Sequence, residues 1–164
     1  MAGTATEDGP SRVGRLYDTY GVALYRYAVM LLADRTAAED AVQQVFAALL
    51  RPRGDLHHEA RYLRRAVRNE CYSMLRTRMA HPPATTDETF LEARTGADVA
   101  PADRIALARA LGRLPPEQRE VVHLHAFEGW TFQEIADASE ASINTVAARY
   151  RYALAKLRRE LTGS

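Results

Sequence analysis

Arginines at helical spacing are the residues best suited to chemistry in this sequence. Residues 57–79 follow a helical pattern, and at about 100° per residue one side of that helix is basic and aromatic. That side carries Arg61, Arg65, Arg68, Asn69, Tyr72 and Arg76, with Tyr62 nearby. Guanidinium groups neutralise phosphates and flat rings stack on bases, as proteins that bind single-stranded nucleic acid require. The pattern favours such a partner, although a solvated arginine-rich helix has the same composition.

The C-terminal residues form a second pattern directed at DNA. Thr131-x-x-Glu134 is a capping box that begins a short helix, and after a four-residue turn Ser142 can cap a last helix that extends to Leu161. This arrangement is typical of a helix-turn-helix, with helix N-termini at Thr131 and Ser142 that suit phosphates. If Ile143, Val146, Tyr150 and Leu154 face inward, the residues left for the major groove are Asn144, Thr145, Ala148, Arg149 and Arg151. An ordinary helical hairpin with a basic face is the alternative.

Catalytic and metal sites have little support. His57 and His58 lack a complementary ligand cluster, and His123 and His125 lie two positions apart on a predicted helix, so they point in different directions. Cys71 falls on the apolar side of its helix and is predicted to be a core thiol. Glycine-rich phosphate loops and nucleophile elbows are absent from the sequence. We therefore expect no enzymatic activity, no small-molecule substrate, no metal and no cofactor.

The charge distribution supports separate interaction surfaces. The 164 residues have a net charge of only +1. However, residues 51–80 hold eight arginines and three acids, residues 115–140 hold one arginine and six acids, and residues 141–164 hold five bases and one acid. Such blocks predict faces with different partners, so the small total does not argue against DNA.

The cellular compartment is predicted from what the sequence lacks. A single cysteine cannot form an internal disulfide, and the longest apolar stretch, residues 27–33, is too short to span a bilayer. The first ten residues are polar and acidic. These features predict a cytoplasmic protein without membrane insertion.

Helical periodicity predicts an all-α fold of two small helical domains, residues 11–80 and 101–162, joined by a flexible linker over residues 81–100. The first domain has predicted helices at 11–32, from Asp34 or from a Thr36-x-x-Glu39 capping box to about residue 50, and at 57–79. The second has them at 103–114, 117–127 (with Phe127 inward), 131–137 and 142–161. On the second helix the buried stripe leaves Asp40, Gln43 and Gln44 facing outward.

Several segments in this order resemble the extracytoplasmic-function (ECF) sigma factors of the sigma-70 family. They are residues 34–46 (DRTAAEDAVQQVF), 62–69 (YLRRAVRN), 75–76 (LR), 114–121 (LPPEQREV), 134–136 (EIA), 144–146 (NTV) and 156–158 (KLR). Each motif is weak by itself, whereas several in the correct order are specific. The resemblance covers almost the whole chain.

The resemblance implies a factor that binds the core of bacterial RNA polymerase and directs it to promoter DNA. It implies that Asp40, Gln43 and Gln44 contact the polymerase. It assigns minus-ten recognition and melting to Arg53, Arg61, Tyr62, Arg65, Arg68 and Asn69. It assigns recognition of the minus-thirty-five element to the helix-turn-helix, through Thr131, Ser142, Asn144, Thr145, Ala148, Arg149 and Arg151. An anti-sigma factor is a further implied partner, and residues 115–140 are expected to face the polymerase or a regulator.

Several departures from the family pattern and two rival functions remain at this point, and the departure that bears on backbone geometry is Glu140. Glu140 stands in the turn where the family usually has glycine, which questions the positive φ expected there. One rival is a sigma-like decoy that binds an anti-sigma factor and does not initiate transcription. The other is a helix-turn-helix repressor, which would need a dimer interface.

Overall fold

The chain is helical in every element of the computed structural model, which describes residues 9–51, 54, 56–80 and 100–163. The elements are α1 (Gly9–Leu32), α2 (Arg35–Leu49), α3 (Glu59–Ala80), α4 (Pro101–Gly112), α5 (Pro116–Val122), a π-helical turn (His123–Phe127), α6 (Phe132–Ser139) and α7 (Ile143–Thr162). The described residues contain no strand, and the predicted all-α fold is confirmed. Residues 81–99 of the predicted linker lie outside the described residues.

Helices α1, α2 and α3 pack around one apolar core. Leu63, Val67 and Cys71 follow one another at a spacing of four, so α3 buries a single stripe. The prediction for Cys71 is confirmed, because its side chain is fully buried and burial raises the pKa of its thiol to about 12. With one face of α3 committed to this core, its basic face must point elsewhere.

Asp34 lies between the end of α1 and the start of α2, and the last turn of α3 contacts it. Its carboxylate accepts a hydrogen bond of 2.9 Å from the Ala37 amide, and so α2 starts at Arg35. The alternative start at a Thr36 capping box was wrong, because Asp34 already caps the helix before that position. Arg78 on α3 donates to the other Asp34 oxygen at 2.6 Å and to the Leu32 carbonyl at 2.7 Å. One arginine therefore satisfies both the end of α1 and the start of α2.

In the C-terminal half of the chain, which runs from α4 to α7, the helix boundaries follow the capping residues. Prolines occupy the first positions of α4 and α5, where a missing amide hydrogen costs nothing. The Thr131 capping box and the Ser142 cap form as predicted, and Gly163 ends α7 with a φ of +70°.

Two predicted apolar faces were partly wrong. The helix predicted over 117–127 changes at His123 into a π-helical turn, closed by a bond of 3.1 Å from the Glu128 amide to the His123 carbonyl. The extra residue in that turn rotates the following side chains, and Phe127 is exposed instead of buried. The buried stripe of α7 runs through Val146, Ala153 and Leu157 with Tyr150 half-buried, which leaves Ile143 and Leu154 exposed.

Candidate nucleic-acid interface

The basic face of α3 has an exposed part and a covered part. Arg61, Arg65 and Asn69 are exposed at a spacing of four, with Tyr62 half-buried beside them. These residues lie on one side of one helix, as the sequence predicted. Arg53 lies outside the described residues.

Arg68 is covered by the C-terminal half of the chain. Its Nε donates to Oε1 of Glu120 on α5 at 2.7 Å, and its Nη2 donates to Oε2 at 3.3 Å. Glu120 is only 2% exposed and also accepts hydrogen bonds from the hydroxyl of Tyr27 at 2.5 Å and from that of Tyr72 at 2.7 Å. We call these four residues the Glu120 cluster. It joins α1, α3 and α5 through one carboxylate.

The environment keeps the donors of the Glu120 cluster protonated. Burial raises the pKa values of Tyr27 and Tyr72, and the charge of Glu120 raises both further. Burial is the largest single effect and would lower the pKa of Arg68, but the hydrogen bonds with Glu120 and the charge of that carboxylate, with smaller contributions from Tyr72 and Tyr27, together outweigh burial and raise the pKa. Arg68 thus remains a cation whose charge is balanced within the chain.

Two further acids of the C-terminal half contact the same helix. Arg64 donates to Glu128 at 2.9 Å, and its guanidinium lies 4.8 Å from the ring centre of Tyr27 and 5.0 Å from that of Trp130. At the edge, Arg65 pairs with Glu140 at 2.6 Å, and both side chains are exposed. For Glu120 and Glu128 the expected polymerase- or regulator-facing position is therefore wrong in this structure, because these side chains are largely buried against α3, whereas Glu140 contacts α3 and stays largely exposed.

A second buried residue of α5, Arg119, also joins the two halves. Arg119 donates to the Met30 carbonyl at 2.8 Å and to that of Leu31 at 2.7 Å, both at the end of α1. It also donates to the carbonyls of Leu114 at 2.8 Å and Gly112 at 3.2 Å. Burial lowers the pKa of Arg119 to about 10, so the group stays charged at neutral pH.

The sequence analysis missed Arg64, Arg119, Glu120 and Glu128 as interface residues. One signal could have indicated them, namely the opposite charge of residues 51–80 and 115–140. We interpreted these blocks as surfaces for different partners, whereas here they contact each other.

The helix-turn-helix places its predicted contact residues on an accessible surface. Asn144, Thr145 and Arg151 are exposed, and Ala148 and Arg149 are half-buried. Thr131 and Ser142 are exposed at the starts of α6 and α7, where their hydroxyls accept from backbone amides, each at 3.1 Å. Contacts among three rings hold the unit together. The ring centres of His125 and Phe132 are 4.5 Å apart, and those of His125 and Tyr150 are 4.8 Å apart.

Glu140 adopts the backbone conformation that the sequence put in question. Its φ is +54°, in the left-handed region where a side chain costs about 1 kcal/mol relative to glycine.

We expect Glu140→Gly to be about 1 kcal/mol more stable than Glu140→Ala, because both lose the carboxylate and only glycine relieves the strain. Equilibrium urea unfolding of the two variants measures the difference. Equal stabilities would show that the turn carries no strain.

The predicted polymerase-binding residues lie together on the outer face of α2. Asp40, Gln43 and Gln44 are exposed, while Ala41 and Val45 beside them are buried. All three side chains are polar, and Asp40 is the acid among them.

The described residues offer little for other chemistry. They contain no group of three or more histidine, cysteine or acidic side chains that could hold a metal ion. His57 and His58 line an open surface cavity of about 640 Å³ with Tyr20, Leu56 and Arg61. None of the helices described here is long and apolar enough to cross a membrane.

Comparisons with known proteins match each half of the chain to a region of one family. Residues 16–80 match the model of sigma-70 region 2, and residues 104–157 match that of sigma-70 region 4. The ECF RNA polymerase sigma factor SigL of Mycobacterium tuberculosis is 33% identical over 150 residues, which cover 87% of this chain and 85% of that protein. SigM of the same organism is 32% identical over 149 residues, covering 87% and 75% of the two chains.

Two solved structures share the fold. The sigma factor RpoE of Bartonella quintana, in complex with the anti-sigma factor NepR, superposes with a TM-score of 0.65 at 22% identity, covering 92% of this chain and 97% of that one. CnrH, in complex with the cytosolic domain of CnrY, gives a TM-score of 0.61 at 28% identity over 93% and 88% of the two chains.

Proposed function

The chain belongs to the ECF RNA polymerase sigma factors, and on that basis we propose which of its surfaces acts at each step of transcription initiation. It binds RNA polymerase core and directs promoter recognition and DNA melting. It acts in the cytoplasm, and the polymerase carries out the RNA synthesis. The observation that carries this proposal is the order of the matched regions, with a basic α3 in the first and an accessible helix-turn-helix in the second.

The outer face of α2 binds the polymerase. Asp40, Gln43 and Gln44 form one exposed polar patch, and the opposite side of α2 is buried in the core. The patch therefore stays accessible when the domain is folded.

The basic face of α3 melts the minus-ten element. Extruding a base costs a few kcal/mol, which stacking on an aromatic ring and contacts with phosphates can offset. Tyr62 supplies the ring, and Arg61, Arg65 and Arg68 supply the charges. Asn69 and Arg53 complete this set of contacts.

The helix-turn-helix binds the minus-thirty-five element. Asn144 and Thr145 are exposed near the start of α7, where side chains can reach base edges in the major groove. The backbone amides at the N-termini of α6 and α7, beside Thr131 and Ser142, contact phosphates. Ala148, Arg149 and Arg151 complete the surface, in which the alanine suits apolar contact with a thymine methyl group.

An anti-sigma factor controls the free protein. The structures with the same fold include RpoE bound to the anti-sigma factor NepR and CnrH bound to the cytosolic domain of CnrY. Such a partner would compete with the polymerase for this chain.

A binding measurement with core polymerase tests the role of α2. We expect the triple variant Asp40→Ala, Gln43→Ala, Gln44→Ala to bind core at least roughly tenfold more weakly, because a tenfold loss requires the three contacts together to contribute only about 1.4 kcal/mol. Asp18→Ala is the control, since it removes one exposed acid from α1. Fluorescence anisotropy of labelled protein titrated with core gives the affinities. Equal affinity of the triple variant and wild type would contradict this assignment.

A further inference from the structure

His125 lies where the π-helical turn meets both helices of the helix-turn-helix. Its Nδ1 donates to the Trp130 carbonyl at 2.7 Å, and because a carbonyl oxygen only accepts, Nδ1 carries a hydrogen and the ring is held in one orientation. The ring centre lies 4.5 Å from that of Phe132, the first residue of α6, and 4.8 Å from that of Tyr150 on α7. The ring centres of Phe132 and Tyr150 are 5.5 Å apart. These three rings form a closed triangle, which we call the ring cluster.

The hydrogen bond of His125 also fixes the start of α6. The chain reverses at Gly129, whose φ is +75°, and the Trp130 amide donates to the Leu124 carbonyl at 2.9 Å. Because the His125 side chain holds the carbonyl of Trp130, both polar groups of this residue's backbone are bonded back to the π-helical turn. Thr131 follows directly and caps α6. The entry into the helix-turn-helix is therefore anchored on both sides of Trp130.

The contact with Tyr150 places His125 beside the proposed DNA-binding surface. Tyr150 is half-buried between Arg149 and Arg151, which both belong to that surface. Asn144 precedes Tyr150 by six positions, which is about 9 Å along a helix. A tilt of α7 by about 10° at Tyr150 would displace Asn144 by roughly 1.5 Å, whereas a binding constellation tolerates only about 0.5 Å of error. Long arginine side chains have the rotamer freedom to follow phosphates through such a shift, so reading of bases depends more strongly on the orientation of α7.

We propose that His125 is a positioning residue for reading the minus-thirty-five element, because it sets the orientation of α7 relative to α6 through the ring cluster. This inference rests on the proposed role of the helix-turn-helix in binding that element. The hydrogen bond orients the imidazole, and the imidazole packs against Phe132 and Tyr150. The ring cluster then holds α6 and α7 at the angle at which Asn144 and Thr145 reach base edges.

Binding of promoter duplexes by the holoenzyme tests the positioning role. The wild-type holoenzyme selects its preferred upstream element from a pool of duplexes randomised at that element, and the affinities of each variant for the selected and for a scrambled duplex are then compared. We expect the ratio of these affinities to fall at least roughly threefold in His125→Phe, which keeps a ring but cannot donate to Trp130, and roughly tenfold in His125→Ala. Affinity for the scrambled duplex should stay within about twofold of wild type, because phosphate contacts dominate it. His125→Phe decides the question even if His125→Ala fails to fold, and an unchanged ratio in His125→Phe would overturn the inference.

Leu157→Ala separates positioning from stability. Leu157 is buried on α7 and belongs neither to the ring cluster nor to the proposed DNA contacts. Its truncation weakens the packing of the same helix, so urea unfolding should show a clear loss of stability. The affinity ratio of Leu157→Ala should nevertheless remain within about twofold of wild type. An equal fall in the ratio for Leu157→Ala and His125→Phe would overturn the inference, because any weakening of α7 would then have the same effect.

Distances between spin labels measure the orientation of α7 without DNA. Ala138 on α6 and Leu161 on α7 are exposed, so Ala138→Cys and Leu161→Cys carry the labels in the full chain, and the fully buried Cys71 does not compete for them. Leu161 lies about 16 Å beyond Tyr150 along α7, so a tilt of about 10° displaces its label by roughly 3 Å. We expect a narrow distance distribution in the otherwise unchanged protein and a shift or broadening of that size in His125→Phe. Identical distributions would overturn the positioning role.

Failure of the proposed function gives a different result. If the wild-type holoenzyme selects no sequence from the randomised pool, the helix-turn-helix does not read a minus-thirty-five element. The spin-label distances still decide whether His125 sets the angle between α6 and α7, because they are measured without DNA or polymerase.

Discussion

Replacing Arg65 and Arg68 together with alanine should lower promoter opening by the polymerase holoenzyme roughly 100-fold. Both residues lie on the basic face of α3, and each lost charge-assisted contact with the strand is worth about 1.5 kcal/mol. Permanganate reactivity of unpaired thymines around the minus-ten element measures the opening. The wild-type and variant holoenzymes should be compared at equal core occupancy.

The control for this variant is Arg26→Ala with Arg158→Ala. It also removes two arginines, and both are exposed at positions outside the proposed contact set. Opening should remain within about twofold of wild type, because distant exposed charges are largely screened. If the two double variants lose opening equally, α3 has no special role.

Arg119→Met should lower the free energy of unfolding by about 3 kcal/mol. The variant keeps most of the apolar volume, but it leaves buried carbonyls of Met30, Leu31 and Leu114 without their donor, and each such loss costs about 1–3 kcal/mol. Equilibrium urea unfolding followed by far-ultraviolet circular dichroism gives the value.

Arg119→Lys separates charge from geometry at this position. Lysine keeps the charge but cannot present the planar fork of donors, so the variant should fall between wild type and Arg119→Met. A loss below about 1 kcal/mol for Arg119→Met would contradict the role of Arg119 in joining α1 to α5.

Local sequence signals predicted most of the helices. The capping residues Thr131, Ser142 and Gly163 mark helix ends by chemistry that acts within a few residues, and all three form as expected. The face of α3 was predictable too, because Leu63, Val67 and Cys71 repeat at helical spacing. The π-helical turn was not predictable from this pattern, because a constant helical period through His123 gives no sign of an extra residue in the turn.

The contact between the halves could not be derived from periodicity. Tyr27 and Glu120 are 93 positions apart in the sequence yet share a hydrogen bond of 2.5 Å. A helical pattern indicates which face is apolar, but it does not say which polar face will be covered. Arg119 was missed for the same reason, because a charged residue is expected at the surface unless its donors are satisfied.

Run-off transcription tests the central claim most directly. Core polymerase and the wild-type chain are combined on DNA from upstream of the chain's own gene, with core alone as the control. We expect a discrete transcript that requires the wild-type chain and that is strongly reduced with the Arg65→Ala, Arg68→Ala variant. No transcript and no binding to core would contradict the sigma function, and binding to core without promoter opening would favour a decoy that does not initiate transcription.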